Sequence, residues 1–160
     1  MKKWIWGIVG VLLCGLCLLV WLYMVAKEDF DDAERVAIRW ALELTTMTEV
    51  DHVEYFAGEM NYSIVFGNNS IGEPLLVWVN EEHIHEEKAS DGVARSTIRK
   101  RVIERHGKID IVHITPGKLG EQWIWEVFYK KQEGQGTRHY YDYYTFVNGE
   151  WMDTYMLSLE

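Results

Sequence analysis

Two histidines one residue apart, His83 and His85, stand among glutamates in the stretch EEHIHEEKASDG, Glu81 to Gly92. Side chains alternate in direction along an extended strand, so Glu81, His83, His85 and Glu87 would share one face. Two imidazoles and two carboxylates on one face form a donor set that zinc or copper accepts. The spacing is not that of the helical H-E-x-x-H signature. The plainer reading is an edge strand whose charges discourage edge-to-edge pairing, and no metal is assigned. A second candidate is the carboxylate pair Glu126 and Asp142. Glycoside hydrolysis uses two carboxyls about 5–9.5 Å apart, and on neighbouring strands these two would face the same way. No cleft is implied by such small units. There is also no G-x-S-x-G elbow, no phosphate loop and no cysteine beyond Cys17. The sequence therefore assigns no catalytic residue and no cofactor, and it is not read as an enzyme.

The third candidate is aromatic. In Gln122 to Tyr129, QWIWEVFY, alternation puts Trp123, Trp125, Val127 and Tyr129 on one face and Ile124, Glu126 and Phe128 on the other. In His139 to Phe146, HYYDYYTF, one face carries His139, Tyr141, Tyr143 and Thr145, the other Tyr140, Asp142, Tyr144 and Phe146. Tyr and Trp join an apolar body to a polar tip, which suits interfaces. Trp78, Trp123, Trp125, Tyr141 and Tyr143 are the residues expected to bind a partner. The competing reading is that two sheets share these rings internally.

The elements that must position them begin with Trp4 to Val25, WIWGIVGVLLCGLCLLVWLYMV, which carries no charge. As a helix it would run about 33 Å, enough for a hydrocarbon core of roughly 30 Å. It is expected as an N-terminal transmembrane anchor, residues 1–26, through which the chain meets a membrane. Lys2 and Lys3 precede it, placing the N-terminus in the cytoplasm and the rest outside. Cys14 and Cys17 both lie within this stretch, and Gly7, Val11 and Gly15, four apart, would suit helix pairing. Residues 26–30 are expected as a linker. With Lys2 and Lys3 set aside, the remainder holds 14 Lys and Arg against 25 Asp and Glu, a formal charge of −11. That argues against nucleic acid as a partner, which needs a basic footprint.

From Ala33 to Leu44 apolar residues recur at helical spacing, with Asp31 or Asp32 to cap the helix. Strands are expected at 50–56, 62–66 and 75–79, the last running on into EEHIHEEK. The order then repeats. Ser90 or Asp91 would cap a second helix near 93–106, and strands follow at 109–114, 123–129, 139–147 and 150–157. Asn148-Gly149 is read as a two-residue hairpin turn. The expected fold class is α+β: a transmembrane helix and then two tandem α-β-β-β units, 27–88 and 89–160, each a helix on a small antiparallel sheet. The second helix is the electrostatic exception, with Arg95, Arg99, Lys100, Arg101, Arg105 and Lys108 against Glu104. A basic helix of this kind could meet anionic lipid.

Several segments together resemble the TseB-like (YpmB-like) group of Gram-positive cell-wall elongation regulators. They are Tyr62 to Gly67, Gly72 to Val79, Ala89 to Gly92, Trp125 to Tyr129, and Tyr140 to Tyr144 leading to Asn148-Gly149-Glu150-Trp151. The resemblance lies in their order and spacing. It implies PepSY-like, cystatin-like units behind one anchor, a non-enzymatic regulatory role, and a class B penicillin-binding transpeptidase as partner. It implies no catalytic residues. Inhibition of an exported protease and binding of peptidoglycan or lipid are the alternatives in function.

Overall fold

The computed structural model describes residues 2–134 and 136–157, with side chains described for 12–24, 32–134 and 136–157. Helix α1 spans Lys2–Leu44 and leads into strands β1 (Met47–Ala57), β2 (Asn61–Asn69), β3 (Pro74–Val79) and β4 (Ile84–Lys88). A single 3₁₀ turn, Ala89–Asp91, precedes helix α2 (Arg95–His106). Strands β5 (Asp110–Leu119), β6 (Gln122–Glu133), β7 (Gly136–Thr145) and β8 (Trp151–Leu157) follow. Each group of four strands forms its own antiparallel meander, in the orders β1-β2-β3-β4 and β5-β6-β7-β8. The chain divides into two compact units, 1–36 and 37–160. The second unit holds both sheets.

The expected fold class is overturned on two counts. Strand outweighs helix, and each sheet has four strands where an α-β-β-β unit would give three. The fourth strand of the first sheet is the acidic stretch itself. It does not prolong β3, because Asn80 stops the strand: its Oδ1 accepts the amides of Glu82 (3.0 Å) and His83 (2.7 Å), folding 80–83 into a turn. β4 then returns along β3 with Trp78 opposite His85. Secondly, among the described residues no helix is long and apolar enough to cross a membrane. The transmembrane helix expected at 4–25, and membrane contact through it, are not supported. Lys2, Lys3, Gly7, Val11 and the Asp31 cap lie outside the residues whose side chains are described. The linker expected at 26–30 is helical backbone.

The first sheet is buried on both faces. On one, Ala37 and Ala41 of α1 pack with Met47, Val65, Leu75, Val77 and Val79. Glu86 of β4 fastens the α1–β1 connection by accepting the Thr46 amide (2.6 Å) and hydroxyl (2.8 Å). Burial raises the Glu86 pKa, but these bonds outweigh it and hold the carboxyl below its usual range. On the other face Phe56, Tyr62, Ile64, Leu76 and Trp78 join Ile98 and Val102 of α2 and the second sheet's Ile114, Ile124, Trp125, Val127, Tyr129 and Tyr144, with Phe146 just beyond β7. One core therefore serves both sheets. Two glycines let it close. A Cβ on Gly117 would lie 2.4 Å from the Phe56 ring, and one on Gly92 would lie 2.4 Å from Phe146.

The cap and turn readings are corrected in detail. Helix α2 has Ala94 at its N-cap with no side-chain cap bond, so neither Ser90 nor Asp91 serves. Those two residues belong to the 3₁₀ turn. The helix does end at Gly107, whose amide donates to the Ile103 carbonyl. Asn148-Gly149 is not a two-residue turn. Asn148 has no positive φ, and the loop closes through the Gly149 amide onto the Thr145 carbonyl (2.9 Å), with Arg101 Nη1 donating to the Asn148 carbonyl (2.7 Å).

Trp78 is fully buried between the sheets, so Trp78→Ala should cost about 3–5 kcal/mol in urea unfolding. Among the described residues its Nε1 has no hydrogen-bond partner, so Trp78→Phe, which removes that buried donor, should cost clearly less. Gly117→Ala should destabilise by about 1–3 kcal/mol through the Phe56 clash.

Candidate functional site

The second sheet has two unlike faces. The inner one, toward α2, carries Trp125, Val127 and Tyr129 on β6 and Tyr140, Asp142 and Tyr144 on β7, with Trp125 opposite Tyr144 and Val127 opposite Asp142. At its centre Asp142 is fully buried. Its carboxylate accepts four side-chain hydrogen bonds, from His106 Nε2 (2.7 Å), Thr154 Oγ1 (2.7 Å) and the hydroxyls of Tyr129 and Tyr144 (3.2 Å each). These donors come from α2, β6, β7 and β8. Burial of a carboxylate is costly unless it is fully hydrogen-bonded, and here it is. The carboxylate itself is closed to solvent and works as a structural hub. Burial, then the Asp142 charge, pushes the Tyr129 and Tyr144 hydroxyls well above the ordinary tyrosine range.

The outer face is organised in rows by the register. Thr115, Glu126, Tyr143 and Asp153 are successive partners across the four strands, and so are His113, Phe128, Tyr141 and Tyr155. The second row is an aromatic ladder. Phe128 stacks on Tyr141 with ring centroids 4.7 Å apart, and His113 lies 5.3 Å from Phe128. His139 stacks on Phe128 at 5.8 Å, and Tyr155 meets Tyr143 edge-on at 6.0 Å. Phe128, Tyr141 and Tyr143 are half-buried, while His113 and Tyr155 are exposed, the latter at 59 %. Beneath the ladder Glu126 is 8 % exposed, with His113 Nε2 3.4 Å from its Oε1. Burial, then Glu126, raises the pKa of both Tyr141 and Tyr143. Among the described residues no helix packs on this face, which offers aromatic surface with Asp153 beside Tyr143 and Glu126 beneath the rings.

The residues expected to bind a partner separate accordingly. Tyr141 and Tyr143 are on the outer face. Trp78 and Trp125 are buried in the shared core, and half-buried Trp123 lies against it. Trp123 stacks on His85 (4.3 Å) and packs at 5.0 Å from Trp78, with Lys118 Nζ 5.3 Å from its ring. His139, which alternation places with Tyr141 and Tyr143, is on the outer face, and His113, Phe128 and Tyr155 join it there. Alternation already put Phe128 opposite to Trp125. Only the pairing register shows that it shares a row with Tyr141. The carboxylate pair does not form: Glu126 pairs with Tyr143 and Asp142 with Val127, so the two acids point to opposite faces.

The histidine stretch separates too. His85 Nε2 lies 2.9 Å from Glu87 Oε1, and its ring is held on Trp123. His83 is exposed in the Asn80 turn, off the strand. Among the described residues no three His, Cys, Asp or Glu side chains are grouped to hold a metal. Half of the basic helix is engaged internally. Arg95 grips Glu54 at 2.7 and 2.8 Å, Arg101 binds loop carbonyls, and Arg105 sits 3.8 Å over Trp151.

Comparison with known proteins finds similarity at three levels. Residues 36–80 match the family described as "Cell wall elongation regulator TseB-like domain". The chain is 29% identical over 130 residues to the "Probable cell wall elongation regulator TseB" of Bacillus subtilis (strain 168), covering 78% of this chain and 79% of that protein. The solved structure of the "YpmB protein from Bacillus subtilis" superposes with a TM-score of 0.68 at 26% identity, over 77% of this chain and 96% of that one.

Replacing Asp142 by Ala strips four donors of their acceptor and should destabilise by about 3–5 kcal/mol, with Asp142→Asn intermediate, as measured by thermal or urea unfolding. The tyrosines predict an alkaline limit. Their folded pKa values are raised, so their contribution to stability is complete below the unfolded tyrosine value of about 10 and declines as pH rises above it. In an alkaline titration, tyrosinate absorbance from Tyr129, Tyr143 and Tyr144 should appear together with loss of structure, not before it.

Proposed function

We propose that the chain is a cell wall elongation regulator like its TseB relative, and that it acts by docking the outer face of its second sheet onto a protein of the wall-building machinery, a class B penicillin-binding transpeptidase. The observation that carries this reading is the aromatic ladder His113–Phe128–Tyr141–Tyr155 on a four-stranded sheet, with its two inner rings half-buried and its two outer ones exposed. Interfaces are enriched in aromatic residues, and a few such anchors usually dominate binding energy. Glu126 and Asp153 lie among the rings, so the complementary surface is basic, with guanidinium groups able to stack on tyrosine faces. The role is regulatory and not catalytic. Its place of action is outside the cytoplasm, which suits a unit, residues 37–160, without cysteine.

In-cell photo-crosslinking from position 155 tests this. Recovery of a penicillin-binding transpeptidase, reduced at least fivefold when Tyr141→Ser is added, is the expected result. Capture of the transpeptidase from a control position on α2, such as Lys100, with none from position 155, would assign the docking to another face.

A further inference from the structure

An edge strand presents an open row of backbone donors and acceptors, and natural proteins protect such rows with bulges, charges, proline or covering elements. The two sheets have β1, β4, β5 and β8 at their edges. Three of these are protected. β1 is broken by two register shifts, between Met47 and Glu49 and between Val50 and His52. β4 is short and charged, with Glu86, Glu87 and Lys88 in succession. β5 has a bulge between Ile111 and His113, a proline at 116 with no N–H to offer, and Ile114 and Thr115 buried. β8 is different. Its irregularity is confined to its start, between Trp151 and Asp153, and from Asp153 to Leu157 it runs in unbroken register along β7. It carries one charge, Asp153, and ends in the apolar run Tyr155-Met156-Leu157, with all three side chains exposed. Among the described residues no strand besides β7 pairs with it.

The residues of this edge complement themselves. Two identical strands paired antiparallel are related by a twofold axis, so each residue meets the one equally far beyond the axis on the other copy. The regular run Asp153–Leu157 has Tyr155 at its centre. Pairing about Tyr155 sets Asp153 opposite Leu157 of the second copy, Thr154 opposite Met156, and Tyr155 opposite its own equivalent. The two Asp153 carboxylates are then four positions apart along the strands, about 14 Å, so no like charges face each other. Pairing about Thr154 would draw Met152 of the irregular start into the ladder, and pairing about Asp153 would set two aspartates face to face. Tyr155 also ends the row His113–Phe128–Tyr141–Tyr155. Only the axis at Tyr155 makes that row continuous through both copies, and directly opposed aromatic pairs favour strand pairing.

We propose that two copies of this chain associate by antiparallel pairing of their β8 edges about Tyr155, joining their second sheets into one continuous sheet. The pairing uses the backbone edge, so the rings of the outer face still point outward and the aromatic surface is widened, not covered. It does not rest on what docks there. A contact of this kind is small, below the roughly 1,200 Å² of lasting interfaces, so the association is reversible.

A charge swap at the axis tests this. Sedimentation equilibrium of the full chain should show a reversible dimer. Tyr155→Lys and Tyr155→Glu each set like charges directly opposite one another and should weaken it by about tenfold or more, whereas Tyr155→Phe should not. Mixing the Lys and Glu chains should restore the dimer as a heterodimer, which also shows that both variants fold. Association through the exposed leucines of α1, such as Leu12 and Leu19, would not respond to position 155. Register is read separately, with Cys14 and Cys17 changed to Ser. Oxidation of a mixture of Asp153→Cys and Leu157→Cys chains should link 153 to 157 severalfold more than 153 to 153. A chain that stays monomeric, a dimer indifferent to the Lys and Glu changes, or equal linkage of 153 to either position would overturn the proposal.

Discussion

Everything in the folded unit depends on the contact of the two sheets through one apolar core. A four-stranded sheet with a single helix behind it leaves a face uncovered. The first sheet solves this by presenting Tyr62, Ile64, Leu76 and Trp78 to the second sheet and to α2. The rings of Phe56 and Phe146 complete the joint because Gly117 and Gly92 leave them room. Close packing then dictates the fate of neighbouring groups. Trp123 is trapped between His85 and Trp78, and His85 is turned from a candidate ligand into a stacking partner.

The second sheet is asymmetric because only one of its faces takes part. On the inner face the polar groups are closed into a network, Asp142 receiving donors from four elements. On the outer face Glu126 is nearly as buried, yet it lies under rings that reach solvent. The same residue types, a carboxylate among tyrosines, thus hold the fold on one side and offer a surface on the other. The difference is set by what covers each face and not by local sequence.

Much of this arrangement was legible in the sequence. Helical spacing located the end of α1, and alternation assigned Tyr140, Asp142 and Tyr144 to one face and Tyr141 and Tyr143 to the other. The resemblance to cell-wall elongation regulators agreed with the later comparisons. What alternation cannot supply is register and cover. Glu126 and Asp142 are expected to face together on neighbouring strands, whereas the actual pairing offsets them by one residue and so points them to opposite faces. Trp78 and Trp125 read as surface anchors because a large aromatic residue on a strand suits a core and an interface equally. The acidic stretch was read as an extension of β3 because the Asn80 turn is made by side-chain bonds to two amides, a signal weaker than Gly or Pro. The apolar N-terminal run gave a span reading on length alone.

The shared core also has a consequence for biosynthesis. The ribosome delivers the first sheet before the second, and the face bearing Ile64 and Trp78 finds its cover only after residues 114–146 have emerged. Until then the nascent chain carries an exposed apolar sheet face whose partners are many tens of residues away. Contacts so distant along the chain form late and slowly, and transiently exposed sheet surface is where misassembly begins. The half-made chain is therefore most exposed to misassembly in the interval before the second sheet emerges.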